Sequence, residues 1–201
     1  MYTLKFDGLY RGISNGAGLL SGAGLLCYGW LVTRKGVEIA RGHGACVRIR
    51  DASSSTAEYL ALIEGLDALA DMGLKNEAVM IIGDARTVID QMRGTSGVHS
   101  PAVLSLYRRA SRLAQRFDNL SWSWTPRRKN KAADLLTRKA MRQIRSALKK
   151  DPAAVLCFDL KEDYERSPYK FHTLLDLRVF QPVYPALQSR LPSRTQPRAA
   201  Y

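Results

Sequence analysis

The sequence predicts an α/β fold in which a mixed sheet of five strands is flanked by helices. Three observations carry this prediction. Three strand-like segments precede any helix, a continuous apolar run occupies 78–82, and helical spacing of apolar residues begins only after residue 53. The resulting element order, β-β-β-α-β-α-α-β-α, is typical of helices packed on a mixed sheet.

The N-terminal segments predict an antiparallel meander. Residues 2–6 alternate Tyr, Thr, Leu, Lys and Phe, and we expect this first strand to end on Asp7-Gly8. Two later strands are joined by a turn at 34–36. The second strand is 25–33, and 37–40 together with 45–49 forms the third; a glycine-rich loop at 11–24 precedes them.

Helices and strands then alternate. Ser53 to Thr56 offer N-caps to a helix that we expect to stop at Gly73. The apolar run at 78–82 predicts a central strand covered on both faces, which ends at Gly83-Asp84. The remaining elements are a helix at 85–92, a helix at 101–117 with Pro101 in its first turn, a strand at 120–124 and a helix at 131–149.

The pattern changes at Asp151-Pro152. Residues 151–201 contain six of the eight prolines, a short strand pattern at 155–160 and an ending rich in Pro, Ser, Arg and Gln. The length of 201 residues allows one full-sized domain with an addition. We therefore expect a domain at 1–150 and a small C-terminal extension at 151–201 that is partly extended or disordered.

The charge of the chain is concentrated in one stretch. Residues 101–150 contain fourteen basic residues against Asp118 and Asp134, whereas the net charge of the whole chain is +13. Such clustering indicates a polyanionic partner, with nucleic acid first and an anionic membrane surface second. The alternative is a solvated basic helix face.

The compartment is predicted from what the sequence lacks. Its three cysteines form no C-x-x-C pair, so neither a disulfide framework nor a zinc cluster is indicated. The first residues lack the pattern of a signal peptide, and no apolar stretch is long enough to span a bilayer. We expect a cytoplasmic protein that does not enter membranes.

Four carboxylates lie at predicted element boundaries. Asp7 and Asp84 end strands, whereas Glu58 and Asp134 lie in the first turns of helices. Strand ends and helix N-termini converge at one edge of an α/β sheet, and crowded carboxylates favour Mg²⁺ or Mn²⁺ between them. Two such ions can promote phosphodiester cleavage. The simpler explanation of Glu58 and Asp134 is that each stabilises a helix end.

The context of these carboxylates resembles a known family. The four segments, in chain order, are Phe6-Asp7-Gly8, Thr56-Ala57-Glu58-Tyr59-Leu60-Ala61-Leu62, Gly83-Asp84-Ala85 and Trp124-Thr125-Pro126-Arg127-Arg128-Lys129-Asn130-Lys131-Ala132-Ala133-Asp134. Together they resemble the type 1 ribonuclease H family over about residues 2–145, in particular its compact, reverse-transcriptase-like branch. The last segment is the most specific of the four.

This resemblance implies an activity and a set of site residues. The family cleaves the RNA strand of RNA/DNA hybrids with two divalent metal ions, Mg²⁺ or Mn²⁺, and leaves 5′-phosphate products. It implies metal ligands at Asp7, Glu58, Asp84 and Asp134. By the same resemblance, substrate contacts are expected at Asn15, Ser54, Ser55, Arg127 and Asn130. No organic cofactor is implied.

Two features depart from the family pattern. The loop at 11–24 is longer than the family's usual turn, and no histidine lies between Trp124 and Asp134. The alternative function is a non-catalytic module that binds nucleic acid or protein on a ribonuclease H-like scaffold. A nuclease for double-stranded RNA is a third option. Residues 151–201 leave open a protein partner or self-association.

Overall fold

The computed structural model describes residues 1–12, 24–48, 50–150 and 172–180. These form six strands and four helices in one mixed α/β layer structure. In chain order the elements are β1 (Tyr2–Gly12), β2 (Gly24–Arg34), β3 (Val37–Arg48), α1 (Ser54–Asp71), β4 (Ala78–Gly83), α2 (Arg86–Met92), α3 (Pro101–Ala114), β5 (Asn119–Trp124), α4 (Lys131–Lys150) and β6 (His172–Phe180). The predicted strand at 155–160, residues 13–23 of the predicted loop at 11–24 and residues 181–201 lie outside the described residues. The ends of that loop are wrong, because Arg11 and Gly12 belong to β1 and Gly24 belongs to β2, where they pair with each other's strand.

The sheet has the order β5-β4-β1-β2-β3-β6. Strands β1, β2, β3 and β6 pair antiparallel, whereas β4 pairs parallel with both β1 and β5. The predicted mixed sheet flanked by helices is therefore confirmed, with one strand more than the sequence predicts. The additional strand, β6, comes from the C-terminal extension.

The helices cover both faces of the sheet. On one face, Trp30 and the residues that alternate with it on β2 pack against Tyr59 and its apolar neighbours on α1. On the other face, Cys27 of β2 packs with Ala140 and Met141 of α4. Successive residues of a strand point to opposite faces, so β2 contributes to both layers and is buried along most of its length.

Helix α1 begins at a capping box. The Ser53 hydroxyl accepts a hydrogen bond from the Thr56 N–H at 3.2 Å, and the Thr56 hydroxyl accepts one from the Ser53 N–H at 2.8 Å. The predicted N-cap is confirmed. Because the helix begins at Ser54, Glu58 lies just beyond its first turn rather than within it, so the explanation of Glu58 as a helix-end residue loses its basis.

Asp7 also differs from its predicted place at a strand end. Strand β1 continues to Gly12, because residues 7–12 go on pairing with β2. Its pairing with β4 stops at Lys5, opposite Ile82. Asp7 therefore lies in mid-strand, just past the end of the parallel pairing, at the edge where Asp84 leaves β4.

Strand β6 is joined to α1 by ion pairs as well as to β3 by the backbone ladder. The Arg178 guanidinium contacts Glu64 at 2.6 Å and Asp71 at 3.1 Å, both on α1. The side chains of Arg178 and Glu64 are only 25% and 14% exposed. This part of the C-terminal extension is thus an edge strand of the same sheet.

We expect Arg178→Ala to lower the free energy of unfolding by about 2 kcal/mol, because Glu64 would keep a poorly hydrated charge without its partner. Urea denaturation measures the change. The matched control is Arg41→Ala, since the Arg41–Glu38 pair has side chains 43% and 34% exposed and should contribute less than about 0.5 kcal/mol. Equal effects of the two substitutions would contradict this role of β6.

Among the described residues, the helices are all too short or too polar to cross a membrane.

Candidate active site

Three of the predicted carboxylates lie together at one edge of the sheet. Asp7 comes from β1, Glu58 from α1 and Asp84 directly follows β4. One carboxylate oxygen from each lies within 4.8 Å of the others. The side chains are shielded rather than fully solvated, and Asp7 is only 2% exposed. The convergence predicted for these three residues is therefore observed.

A glycine allows α1 to approach β1 at this point. A Cβ on Gly8 would lie 2.3 Å from the carbonyl carbon of Ala57 and from the backbone nitrogen of Glu58. No side chain fits in that space. The Gly8 N–H also donates a hydrogen bond to the Glu58 carboxylate. The Asp-Gly pair thus provides one carboxylate of the group and the room for a second.

Helix α4 approaches the other side of the same strands. A Cβ on Gly29, which pairs with Asp7, would lie 2.7 Å from the Thr137 backbone nitrogen. The Thr137 hydroxyl donates to the Asp7 carbonyl at 3.0 Å. Asn130, just before α4, is fully buried, and its amide donates to the Phe6 carbonyl at 2.8 Å and to Asp84 Oδ1 at 2.7 Å. Thr137 of α4 therefore fixes the backbone at Asp7, and Asn130, just before the helix, fixes the carboxylate of Asp84.

The electrostatics of the group are those of crowded, buried anions. Burial raises the pKa of Asp7 from 3.8 to about 6, and the neighbouring charges of Asp84 and Asp134 add to the increase. Burial also raises the pKa of Glu58 well above its ordinary value, again with a contribution from Asp7 and Asp84. Without a cation, Asp7 and Glu58 cannot both ionise at low cost.

A divalent cation fits this group. Asp7 Oδ2 and Glu58 Oε2 are buried and have no hydrogen-bond partner among the described residues. Burying such oxygens lowers the stability of the fold unless a cation or a hydrogen-bond donor contacts them. Oxygen ligands from carboxylates are what Mg²⁺ and Mn²⁺ prefer. We conclude that Asp7, Glu58 and Asp84 have the donor atoms and the unmet demand for a metal ion.

Asp134 is placed differently. It lies in the first turn of α4, as predicted, but within the described chain it does not belong to the three-carboxylate group. Its Oδ1 accepts a hydrogen bond from Arg127 at 2.9 Å, and its Oδ2 accepts one from Arg138 at 2.7 Å. Burial alone would raise the pKa of Asp134, but these two guanidinium groups outweigh it and lower the pKa. Asp134 is close enough to influence Asp7 and already has cationic partners.

The predicted substrate residues have different surroundings. Ser54 and Ser55 are exposed at the start of α1, on the helix that carries Glu58. The Arg127 side chain is 64% exposed beside Asp134. The Asn130 amide donates hydrogen bonds to Asp84 and Phe6, so its observed role is to position Asp84. Its contact with substrate stays a prediction. Asn15 lies outside the described residues.

Some residues of the site are absent from the sequence-based prediction. Arg138 contacts the Asp134 carboxylate, and Thr137 donates a hydrogen bond to the Asp7 carbonyl. The spacing of four residues between Asp134 and Arg138 is typical of an ion pair within a helix, so the sequence could have indicated that contact. The indole of Trp124 donates to the Asp84 carbonyl at 3.0 Å, and the Arg86 guanidinium lies 4.1 Å from the centre of the Trp124 ring. Only proximity in space reveals the contacts of Trp124.

The sequence and fold match known proteins. The profile of the family described as "Reverse transcriptase-like" matches residues 33–140, which is over half of the chain. The crystal structure of RNase H1 from the halophilic archaeon Halobacterium salinarum has a TM-score of 0.59 and 30% identity, over 71% of this chain and 98% of that one. The chain belongs to the type 1 ribonuclease H family. The family resemblance inferred from the sequence is thus confirmed.

Other members of the type 1 ribonuclease H family are similar over shorter or longer parts. The curated Ribonuclease HI of Halobacterium salinarum is 33% identical over 137 residues, 68% of this chain and 62% of its own length. The N-terminal RNase H domain of Rv2228c from Mycobacterium tuberculosis has a TM-score of 0.60 and 28% identity, over 73% of this chain and 96% of that structure. The matched segment covers 29% of the full-length "Bifunctional protein Rv2228c".

Proposed function

We propose that the protein is a metal-dependent endoribonuclease that hydrolyses the RNA strand of RNA/DNA hybrids. The observation that carries the proposal is the group formed by Asp7, Glu58 and Asp84, with two buried carboxylate oxygens that lack partners in the described structure. Membership of the ribonuclease H family supports the reaction class. The substrate, the number of ions and their identity as Mg²⁺ or Mn²⁺ are part of the proposal.

The residues divide into ligands and supports. Asp7, Glu58 and Asp84 would hold one divalent ion, and Asp134 would complete the site of a second. When bound, such ions activate a water and stabilise the leaving oxygen of a phosphodiester, which leaves a 5′-phosphate on one product and a 3′-hydroxyl on the other. Asn130 keeps Asp84 oriented through its amide. The carboxylates would thus supply the negative charge that binds the ions, and Asn130 would keep one of them in position.

The exposed residues around the group suit a nucleic-acid backbone. The Arg127 guanidinium lies next to Asp134 and is largely exposed, so it can donate to a phosphate near the ions. Ser54 and Ser55 are exposed one turn before Glu58 and offer hydroxyls that can donate to or accept from an RNA 2′-hydroxyl. The fourteen basic residues of 101–150 supply the attraction to phosphate in general.

The test is a comparison of substrates. The protein is incubated with end-labelled RNA/DNA hybrid, single-stranded RNA and duplex RNA, each with Mg²⁺, Mn²⁺ or a chelator. We expect metal-dependent cutting of the RNA strand of the hybrid alone, with 5′-phosphate ends. Cutting of duplex RNA would change the substrate class. Salt-sensitive binding of the hybrid without turnover at any metal concentration would instead show a binding module.

A further inference from the structure

The second predicted ion site differs from the first in one respect. The group of Asp7, Glu58 and Asp84 contains oxygens without partners, whereas each carboxylate oxygen of Asp134 already accepts a hydrogen bond from a guanidinium. The three-carboxylate group therefore contains oxygens that no cationic side chain contacts in the described structure, whereas arginine side chains contact both oxygens of Asp134. A metal ion that uses Asp134 therefore meets a carboxylate whose charge two guanidinium groups already partly neutralise.

The two arginines reach Asp134 from different directions. Arg138 lies one turn further along α4, so its guanidinium contacts Asp134 within the same helix at 2.7 Å. Arg127 lies before the helix, in the short 3-10 turn Arg127–Lys129, and contacts the other oxygen at 2.9 Å. Because Asp134 is only 16% exposed on its side chain, little of its surface is left for water or a further ligand.

A cation and a guanidinium compete for the same carboxylate, because each is attracted by its negative charge. A guanidinium is fixed to the chain, so it has a high local concentration, but its contact is worth less than coordination of a divalent ion. We propose that Arg138 and Arg127 act as built-in competitors of the second metal ion for Asp134, so that the three-carboxylate group binds an ion first and the Asp134 site binds one more weakly. This inference rests on the proposed metal-dependent function.

The two competitors have different consequences for the substrate. Arg127 is more exposed than Arg138, at 64% against 54% of the side chain, and it lies in the loop segment before the helix. A phosphate that accepts a hydrogen bond from Arg127 removes that guanidinium from Asp134. Arg138, held by helix geometry, competes whether or not substrate is bound. Its contribution can therefore be measured with metal alone.

The experiment measures metal binding without substrate. Mn²⁺ is titrated calorimetrically into the full-length wild-type protein and Arg138→Gln, and the affinity of the weaker of two binding events is compared. We expect that event to tighten by about two- to five-fold in Arg138→Gln, the range that a partly exposed ion pair contributes, while the tighter event changes less. Arg138→Lys, which keeps the charge but loses the Nε contact, serves if the Gln variant does not fold and should lie in between.

Two controls separate competition at Asp134 from a general change of charge. Arg142 lies one turn beyond Arg138 on α4, is exposed and has no ion pair within the described structure. Arg142→Gln therefore removes a positive charge without removing a contact to Asp134, and it should change the affinity of neither binding event. In an Asp134→Asn background, Arg138→Gln should no longer tighten the weaker event. Unchanged affinity in Arg138→Gln, an equal change in Arg142→Gln, or the absence of a second event in both wild type and Arg138→Gln would overturn the inference. Failure to cleave any nucleic acid would instead count against the proposed function.

Discussion

Asp84→Asn is expected to lower the rate of hybrid cleavage by at least about 10³-fold, which corresponds to about 4 kcal/mol of transition-state stabilisation. Asn preserves the size of the side chain and its oxygen can still accept the hydrogen bond from the Asn130 amide. What it removes is the negative charge and the stronger ligand at the point where three carboxylates meet. Single-turnover cleavage of a labelled hybrid in Mg²⁺ measures the effect.

Binding of the hybrid should survive this substitution. The positive residues of 101–150 are untouched, so the affinity of Asp84→Asn for the hybrid should stay within a few-fold of wild type. The matched control is Asp118→Asn, an exposed carboxylate between α3 and β5 that should cleave at the wild-type rate. A variant at Asp84 that still cleaves as fast as Asp118→Asn would remove the three-carboxylate group from the mechanism.

Asp7→Asn is expected to stabilise the metal-free protein in a pH-dependent manner. The folded-state pKa of Asp7 is raised to about 6, above its ordinary 3.8, so between about pH 4 and pH 6 the folded protein binds more protons than the unfolded chain. The free energy of unfolding of wild type therefore falls as pH rises through this window. The neutral amide of the variant resembles the protonated carboxyl of Asp7 and escapes this loss, which amounts to about 3 kcal/mol once Asp7 is fully ionised.

Urea denaturation in the presence of a chelator, from pH 4 to pH 8, measures this difference. The stability advantage of Asp7→Asn should be close to zero near pH 4, increase up to about pH 6 and then remain constant. Addition of Mg²⁺ at pH 7.5 should stabilise wild type more than the variant, because an ion bound only to the folded state offsets the same repulsion. A difference that does not change with pH would show that Asp7 is ionised in the fold at little cost.

Much of the fold was predictable because its elements satisfy local rules. The alternation of residues 2–6, the apolar run 78–82 and the cap at Ser53 each depend on nearby residues only, and each forms the expected element. The predicted cover on both faces of 78–82 is wrong in part, because one face of β4 is buried and the other is only half-buried. The sixth strand was not predictable in this way. Strand β6 lies at the edge of the sheet formed by the described strands, and Arg178 fixes it to residues more than a hundred positions earlier, which no local pattern records.

Some residues of the candidate site could likewise be predicted from local sequence, and others could not. Asp7, Glu58 and Asp84 could be proposed from their positions next to strands and helices and from the family motifs, and the structure brings them together. The role of Asn130 could not, because only its burial against Phe6 and Asp84 shows that its amide faces inward. The ion pairs of Asp134 likewise required side-chain positions rather than spacing.

The strand order bears on how the chain folds during its synthesis. Strand β1, the first of the described strands along the chain, lies inside the sheet between β4 and β2, whereas β5 and β6 are the outermost described strands. Strands β2 and β3 can add to β1 as soon as they emerge, and the later strands extend the sheet on either side. The edges of β1, β4 and β3 are each covered by a described strand that follows along the chain, and the edge of β3 stays open as a template for aggregation until β6 is made.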